Sequence, residues 1–224
     1  MPTQMMHIAI AKKVNEKLDL EKNLLYVGCL ITNWTNVEYH ISHFKKEHEG
    51  IEGLSNPDLF YDKYQQLLNN PIVLGYLIHI LTDRFWNKYM LNNVYLYNED
   101  NQVVGVKTRK KKELTMPEES IYELKAKTYN KYDNYLLGQN LVDKIKEKNF
   151  ELPNLEEIKI TTEELDKKID EYNNLVDDSK KKRLLTGMKT NKHSLLNQKE
   201  YENNIERCAG YIYSYLKEKD IVEI

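Results

Sequence analysis

His79 and Asp83 stand four residues apart inside PIVLGYLIHILTDRFWNKYM, the stretch from Pro71 to Met90. On a helix, residues at that spacing point the same way, one turn above the other. Their neighbours Ile72, Val73, Leu74, Tyr76, Leu77, Ile78, Ile80, Leu81, Phe85 and Trp86 leave little room for a solvated face. A carboxylate in such surroundings is costly to desolvate unless it is paired, hydrogen-bonded or bound to a metal. Two more histidines lie at or beside apolar segments: His7 near the start of a helical pattern, and His43 directly before Phe44. Three imidazoles and a carboxylate form a donor set that suits zinc or a similar divalent ion. Each also has a plainer reading when taken alone. His7 can be a helix-start histidine, His43 a loop histidine, and His79 a core histidine donating to a carbonyl, with Asp83 its hydrogen-bonded partner.

The elements that must bring these residues together can be read along the chain. Met5, Ile8, Ala9, Ala11, Val14 and Leu18 follow helical spacing, with Lys12, Lys13, Glu16 and Lys17 opposite. NLLYVGCLITNW, from Asn23 to Trp34, is a second apolar run, and Gly28 within it points to close approach of another backbone. NVEYHISHFKKEHEG is a short amphipathic stretch with three histidines, of which His43 is expected to face inward and His48, among charges, to face water. SNPDLFYDKYQQLLNN reads as a helix capped by Ser55 or Asn56 with Pro57 in its first turn. The central helix begins at Pro71, where the missing N–H of proline costs nothing. VYLYNEDNQVVGVKT then shows two β-prone runs around residues 98–101, a hairpin pattern. Pro117 opens a helix through SIYELKAKTYNKYDNYLLGQNLVDKIKEK, weakest at Gly138. Residues 150–160 read as irregular, Thr162 to Val176 and Asn197 to Glu218 as helices, and DDSKKKRLLTGMKTNKHS as an exposed loop between them. The expected fold is mostly α, one helical domain over residues 1–224 with a small β-hairpin insertion. It divides into a metal-site half (1–91), a hairpin and basic loop (94–116) and C-terminal helices (117–224).

Composition narrows the function. The 224 residues suit one domain with a sizeable core. Lys+Arg 33 against Asp+Glu 35 leaves a net charge of -2, so no bulk positive field favours nucleic acid or an anionic membrane. With 17 Tyr against 4 Phe, buried hydroxyls will need partners. Cys29 and Cys208 match no metal or redox spacing and read as free thiols of a reducing cytosol. The N-terminus lacks the order of a secretory signal, and the apolar run before Asp83 and Arg84 is too short to cross a bilayer, so a soluble cytoplasmic protein is expected.

The series MPTQMMHIAIAKK, YVGCLITNW, SHF and LGYLIHILTDRFW resembles the bacterial zinc-dependent phospholipase C-like family, related in fold to zinc phospholipase C and single-strand-specific zinc nucleases. The resemblance covers about the first ninety residues. It implies a multi-helix phospholipase C/nuclease-like bundle whose clustered ions activate water against a phosphodiester. Carried over position by position, it makes His7, His43, His79 and Asp83 metal ligands, with Asp83 also able to bridge ions or orient the attacking water. The chain departs from the family at Thr32-Asn33, where many relatives have Pro-Asp. Asn33 offers a neutral carbonyl oxygen in place of a bridging carboxylate, which weakens a multinuclear site. Asn87, Lys88 and Tyr89 stand where larger relatives place a further histidine and glutamate. Asp133, between Tyr129 and Tyr132, is a candidate later contributor, and Arg84 and Lys88 are candidate phosphate contacts.

The expected function is metal-dependent hydrolysis of a phosphodiester or other phosphoester, with an impaired site if Asn33 costs a metal. The alternative is a non-catalytic protein that sequesters a nucleotide or another phosphorylated small ligand in the same pocket. An HD-type phosphohydrolase is disfavoured because the His-Asp dipeptide is absent. No nucleophile elbow or Gly-rich phosphate loop is present either; Gly28, Gly75, Gly138 and Gly210 are isolated.

Overall fold

A computed structural model of the chain describes residues 2–45, 54–186 and 194–222. Eight α-helices and one small antiparallel sheet are found among them. The helices are α1 (Gln4–Leu18), α2 (Lys22–Ile31), α3 (Tyr39–Ser42), α4 (Pro57–Tyr64), α5 (Pro71–Asn93), α6 (Glu118–Gly138), α7 (Thr162–Thr186) and α8 (Gln198–Glu218). The strands β1 (Tyr95–Tyr97), β2 (Val103–Lys107) and β3 (Glu113–Thr115) lie side by side in that order. The mostly helical expectation with a small β insertion holds.

The core is organised around α5. Asn70 caps its N-terminus by accepting from the Ile72 N–H, with Pro71 in the first turn. Every residue from Ile72 to Asp83 is buried, as expected of a helix that is apolar on all sides. α1, α2, α4 and α8 surround it. α1 is itself largely buried from Met5 to Ala11 and is capped by Thr3, whose hydroxyl accepts from the Met6 N–H.

The closest approach is between α2 and α5, and it rests on two glycines. A Cβ at Gly28 would lie 2.1 Å from the Ile72 carbonyl oxygen, and one at Gly75 would lie 2.2 Å from that of Leu25. Backbone therefore meets backbone at this crossing, as the position of Gly28 in its apolar run implied. Gly75→Ala is expected to destabilise the protein by about 3 kcal/mol or more, because neither helix backbone can yield as a side chain would. Gly210→Ala serves as the control. Nothing lies within 4 Å of a Cβ added at Gly210 in α8, so there the change should stabilise by about 0.5–1 kcal/mol. Urea midpoints for both variants check the opposite signs.

Several elements differ from expectation. The expected hairpin forms between β1 and β2, Tyr95↔Val106 to Tyr97↔Val103, and a third strand extends it, because β3 pairs with β2 through Gly105↔Thr115 to Lys107↔Glu113. The helix opening at Pro117 ends at Gly138 and does not continue through the following lysines. Asn140 takes a left-handed φ of 54°, and the chain then runs without regular structure to residue 161. That segment is tied down from outside: Asn173 accepts from the Ile145 N–H and donates to its carbonyl, and Asn23 accepts from the Lys146 N–H. The charged run at 177–186, expected as loop, continues α7 to Thr186; residues 187–193 lie outside the described residues. The stretch carrying His40, His43 and His48 forms one helical turn, α3. His40 is exposed beside Glu38, and His48 lies outside the described residues. Cys29 and Cys208 are both buried free thiols. No described helix is long and apolar enough to cross a membrane.

Candidate metal centre

His7 in the first part of α1, His43 just after α3, and His79 and Asp83 on α5 converge in the core. All four are at most 1% exposed. The His7 and His79 rings stack 3.8 Å apart and 7° from parallel, and the His43 ring stands edge-on to that of His79 at 5.1 Å. Around Asp83, His7 Nε2 lies 3.4 Å from Oδ1, while His43 Nε2 and His79 Nε2 each lie 3.9 Å from Oδ2. Ligand atoms of His7, His79 and Asp83 fall within 4.8 Å of one another. Tetrahedral ligands about 2.0–2.1 Å from a zinc ion are separated by roughly 3.3 Å, so the cluster is close to the size such an ion requires.

Hydrogen bonding fixes what two of the rings can offer. His79 Nδ1 lies 2.6 Å from the Cys29 carbonyl oxygen, so it donates there and leaves Nε2 with a lone pair. The Cys29 carbonyl is available because α2 ends two residues later: the Asn33 N–H, which would meet it in a longer helix, bonds the Leu30 carbonyl. The glycine crossing of α2 and α5 sets the distance. His43 Nδ1 lies 3.0 Å from the Tyr39 carbonyl oxygen, and its Nε2 is left in the same state. An outer hydrogen bond from Nδ1–H to a backbone carbonyl is the usual orientation of a metal-binding histidine.

The result is a cluster of acceptors. His43 Nε2, His79 Nε2 and both Asp83 oxygens are buried without a hydrogen-bond partner among the described residues. Lone pairs facing a carboxylate in a dry interior are unfavourable until a cation joins them. These residues fit a divalent ion on that ground. Burial pushes the Asp83 carboxyl up, but the imidazoles around it, foremost His7 with Nε2 3.4 Å from Oδ1, outweigh it and hold the group below the usual carboxylate range. Burial lowers His43 to about 4 and, with His7 beside it, holds His79 well below its ordinary value.

The sign of the pH dependence follows. In the unfolded chain, histidine binds a proton below about 6.5, whereas His43 in the fold does so only near 4. Between these values the unfolded state holds more protons, so stability rises with pH across the window. Metal-free protein is expected to be about 3 kcal/mol less stable near pH 4 than at pH 7 from this group alone, with His79 acting in the same direction. Asp133, whose carboxyl burial pushes up to about 7, acts in the opposite direction over this range. Urea midpoints at pH 7, 6 and 5 in the presence of chelator are therefore compared in an Asp133→Asn background; a flat profile there would contradict buried neutral rings.

Of the other sequence candidates, Asp133, Arg84 and Lys88 fall elsewhere. Asn33, half-buried past the end of α2, makes no hydrogen bond to the cluster among the described residues. Asp133 accepts from the Thr3 hydroxyl, and burial pushes its carboxyl up to about 7. It braces the cap of the helix that carries His7 and is no part of the cluster. Arg84 donates to the Ser55 carbonyl and with Lys88 lines a separate hollow. Sequence reasoning missed the cavity beside the centre, about 380 Å³, lined by Tyr39, Lys45, Asn87, Lys125 and Tyr129 among others. The Tyr39 ring packs 4.0 Å from that of His43, and Asn87 lies one turn beyond Asp83 on α5. The spacing of Asn87 was the one signal in the sequence; the tyrosines and lysines come from distant segments. The Tyr129 hydroxyl is buried without a partner among the described residues, and burial pushes its pKa up, with a smaller contribution from the Asp83 charge.

The chain matches no protein-family model, no curated protein and no solved structure.

Proposed function

We propose that the protein is a divalent-metal-dependent hydrolase of phosphoesters, with zinc the ion best suited to its donors. The observation that carries this reading is the buried cluster of unpartnered acceptors, His43 Nε2, His79 Nε2 and the Asp83 carboxylate, beside a cavity. His7, His43, His79 and Asp83 would hold the ion. When bound, it would supply Lewis-acid polarisation of a phosphoryl oxygen and a lowered pKa for a coordinated water. The chain's own residues orient and exclude: Cys29 and Tyr39 carbonyls hold two imidazoles in the required tautomer, and the apolar packing of α1, α2 and α5 keeps bulk water from the ligands. Lys45 and Lys125 in the cavity wall suit an anionic substrate.

The test is elemental analysis of protein purified without chelator, with turnover of bis-p-nitrophenyl phosphate and p-nitrophenyl phosphate. About one zinc per chain is expected, and His79→Ala should lower turnover more than the roughly 10–100-fold typical of losing an outer hydrogen-bond partner. A second reading is sequestration of a nucleotide or other phosphorylated ligand without cleavage. It is favoured by one observation: the described lining of the cavity carries the cations Lys45 and Lys125 beside aromatic rings, a wall suited to holding an anion. Metal content with tight ligand binding and no turnover would select it.

A further inference from the structure

A second hollow lies between the latter half of α5 and α8, separate from the histidine cluster, with a volume of about 280 Å³. Three cations line it: Arg84 and Lys88 on α5, and Arg207 on α8. Several cations elsewhere are paired with acids, as Lys12 is with Asp143, Lys63 with Glu157, Lys144 with Asp177 and Lys219 with Asp58, while others, such as Lys17 and Lys131, lie over tyrosine rings instead. These three have no carboxylate at ion-pair distance among the described residues. Arg84 donates to the Ser55 carbonyl oxygen at 2.9 Å, and Arg207 meets the Asn204 side-chain oxygen at 3.4 Å; both partners are neutral. Asp58, the acid whose charge Arg84 affects, is occupied by Lys219 and Tyr215.

Three like charges facing one small space, in a chain of net charge -2, form a site that an anion completes. Guanidinium groups match the oxygens of a phosphate in geometry as well as charge. The remaining wall is aromatic: Phe85, Tyr89 and Tyr211 line the same hollow, with Phe85 and Tyr211 centroids 6.0 Å apart at 35°. Such rings present flat apolar faces to a heterocycle. Asn92, also in the lining, adds an amide able both to donate and to accept. The volume is at the small end of ligand clefts, which excludes a dinucleotide or a long chain.

We propose that this hollow binds a phosphate ester of mononucleotide size, its phosphate received by Arg84, Lys88 and Arg207 and its flat ring by Phe85, Tyr89 and Tyr211. The proposal does not depend on the metal centre. The test is titration calorimetry of the full chain at low ionic strength with adenosine 5′-monophosphate, ribose 5-phosphate and adenosine. The variants are Arg207→Glu and Lys88→Glu, both at exposed positions where folding is not at stake, and His79→Ala. The nucleotide is expected to bind wild type and His79→Ala alike. Each charge reversal should weaken it about 10-fold or more, and ribose 5-phosphate and adenosine should each bind about 10-fold or more weakly than the nucleotide. Absence of nucleotide binding, affinity unchanged by both charge reversals, equal affinity for ribose 5-phosphate, or loss of binding in His79→Ala would each overturn it. The last outcome would place the nucleotide at the histidine cluster.

Discussion

Stripping divalent metal from the purified protein with a chelator is expected to lower its melting temperature by about 10 °C, and one equivalent of zinc is expected to restore it. The size follows from linkage. An ion present at about a thousand times its dissociation constant stabilises the state that binds it by about 4 kcal/mol, and in a chain of this length each kcal/mol moves the midpoint by about 2–4 °C. The direction follows from the cluster. Its ligands come from α1, the turn after α3, and α5, so an ion at their centre joins elements that unfolding separates. Magnesium is expected to substitute poorly, since imidazole nitrogens suit zinc and magnesium prefers oxygen. A melting temperature indifferent to chelator and to zinc would remove the metal centre and leave a buried histidine–aspartate network.

The legibility of this site in the sequence was uneven for physical reasons. His79 and Asp83 were visible because α5 is apolar on every side, so a polar pair at helical spacing inside it had to be buried. His7 and His43 were visible only by type and neighbourhood; whether they meet α5 depends on tertiary packing, which no local pattern encodes. The glycine at 28 announced a close helix crossing, but its consequence, a free Cys29 carbonyl within reach of His79, emerges only when α2 stops at Ile31. Asn33 entered through family resemblance, and its side chain makes no hydrogen bond to the cluster among the described residues. β3 was missed because Glu113–Thr115 is three residues beside a lysine run, too short for any alternation to register. The end of α7 was missed because a dense charge run resembles loop by composition. Yet Lys and Arg are good helix formers, and pairs such as Lys181 with Asp178 at 3.6 Å lie at helical spacing. The hollow of Arg84, Lys88 and Arg207 joins two helices more than a hundred residues apart in sequence, which leaves only its α5 half open to prediction.

Asp83→Asn is expected to make the metal-free protein more stable while greatly weakening its hold on zinc, and this pair of opposite effects is the sharpest test of what the cluster is for. In the native side chain both oxygens are fully buried and neither has a well-formed hydrogen bond among the described residues, His7 Nε2 standing 3.4 Å from Oδ1 as the nearest donor. His43 and His79 cannot supply one, because their Nδ1–H groups are committed to the Tyr39 and Cys29 carbonyls, and their Nε2 atoms present lone pairs. Asparagine keeps the shape, removes the charge and brings an NH2 group toward those lone pairs, with its oxygen left facing His7. Satisfying buried acceptors in this way is worth about 1–3 kcal/mol, which urea midpoints in chelator would register. The same change removes the one carboxylate of the cluster among the described residues, so zinc affinity should fall by about 100-fold or more, beyond the loss seen when merely an outer partner is removed. Had the residue been retained for folding alone, as a hydrogen-bonded partner of His7, the substitution would cost stability and leave no metal affinity to lose. A variant that gains stability only by giving up the cation identifies Asp83 as a position where folding yields to binding.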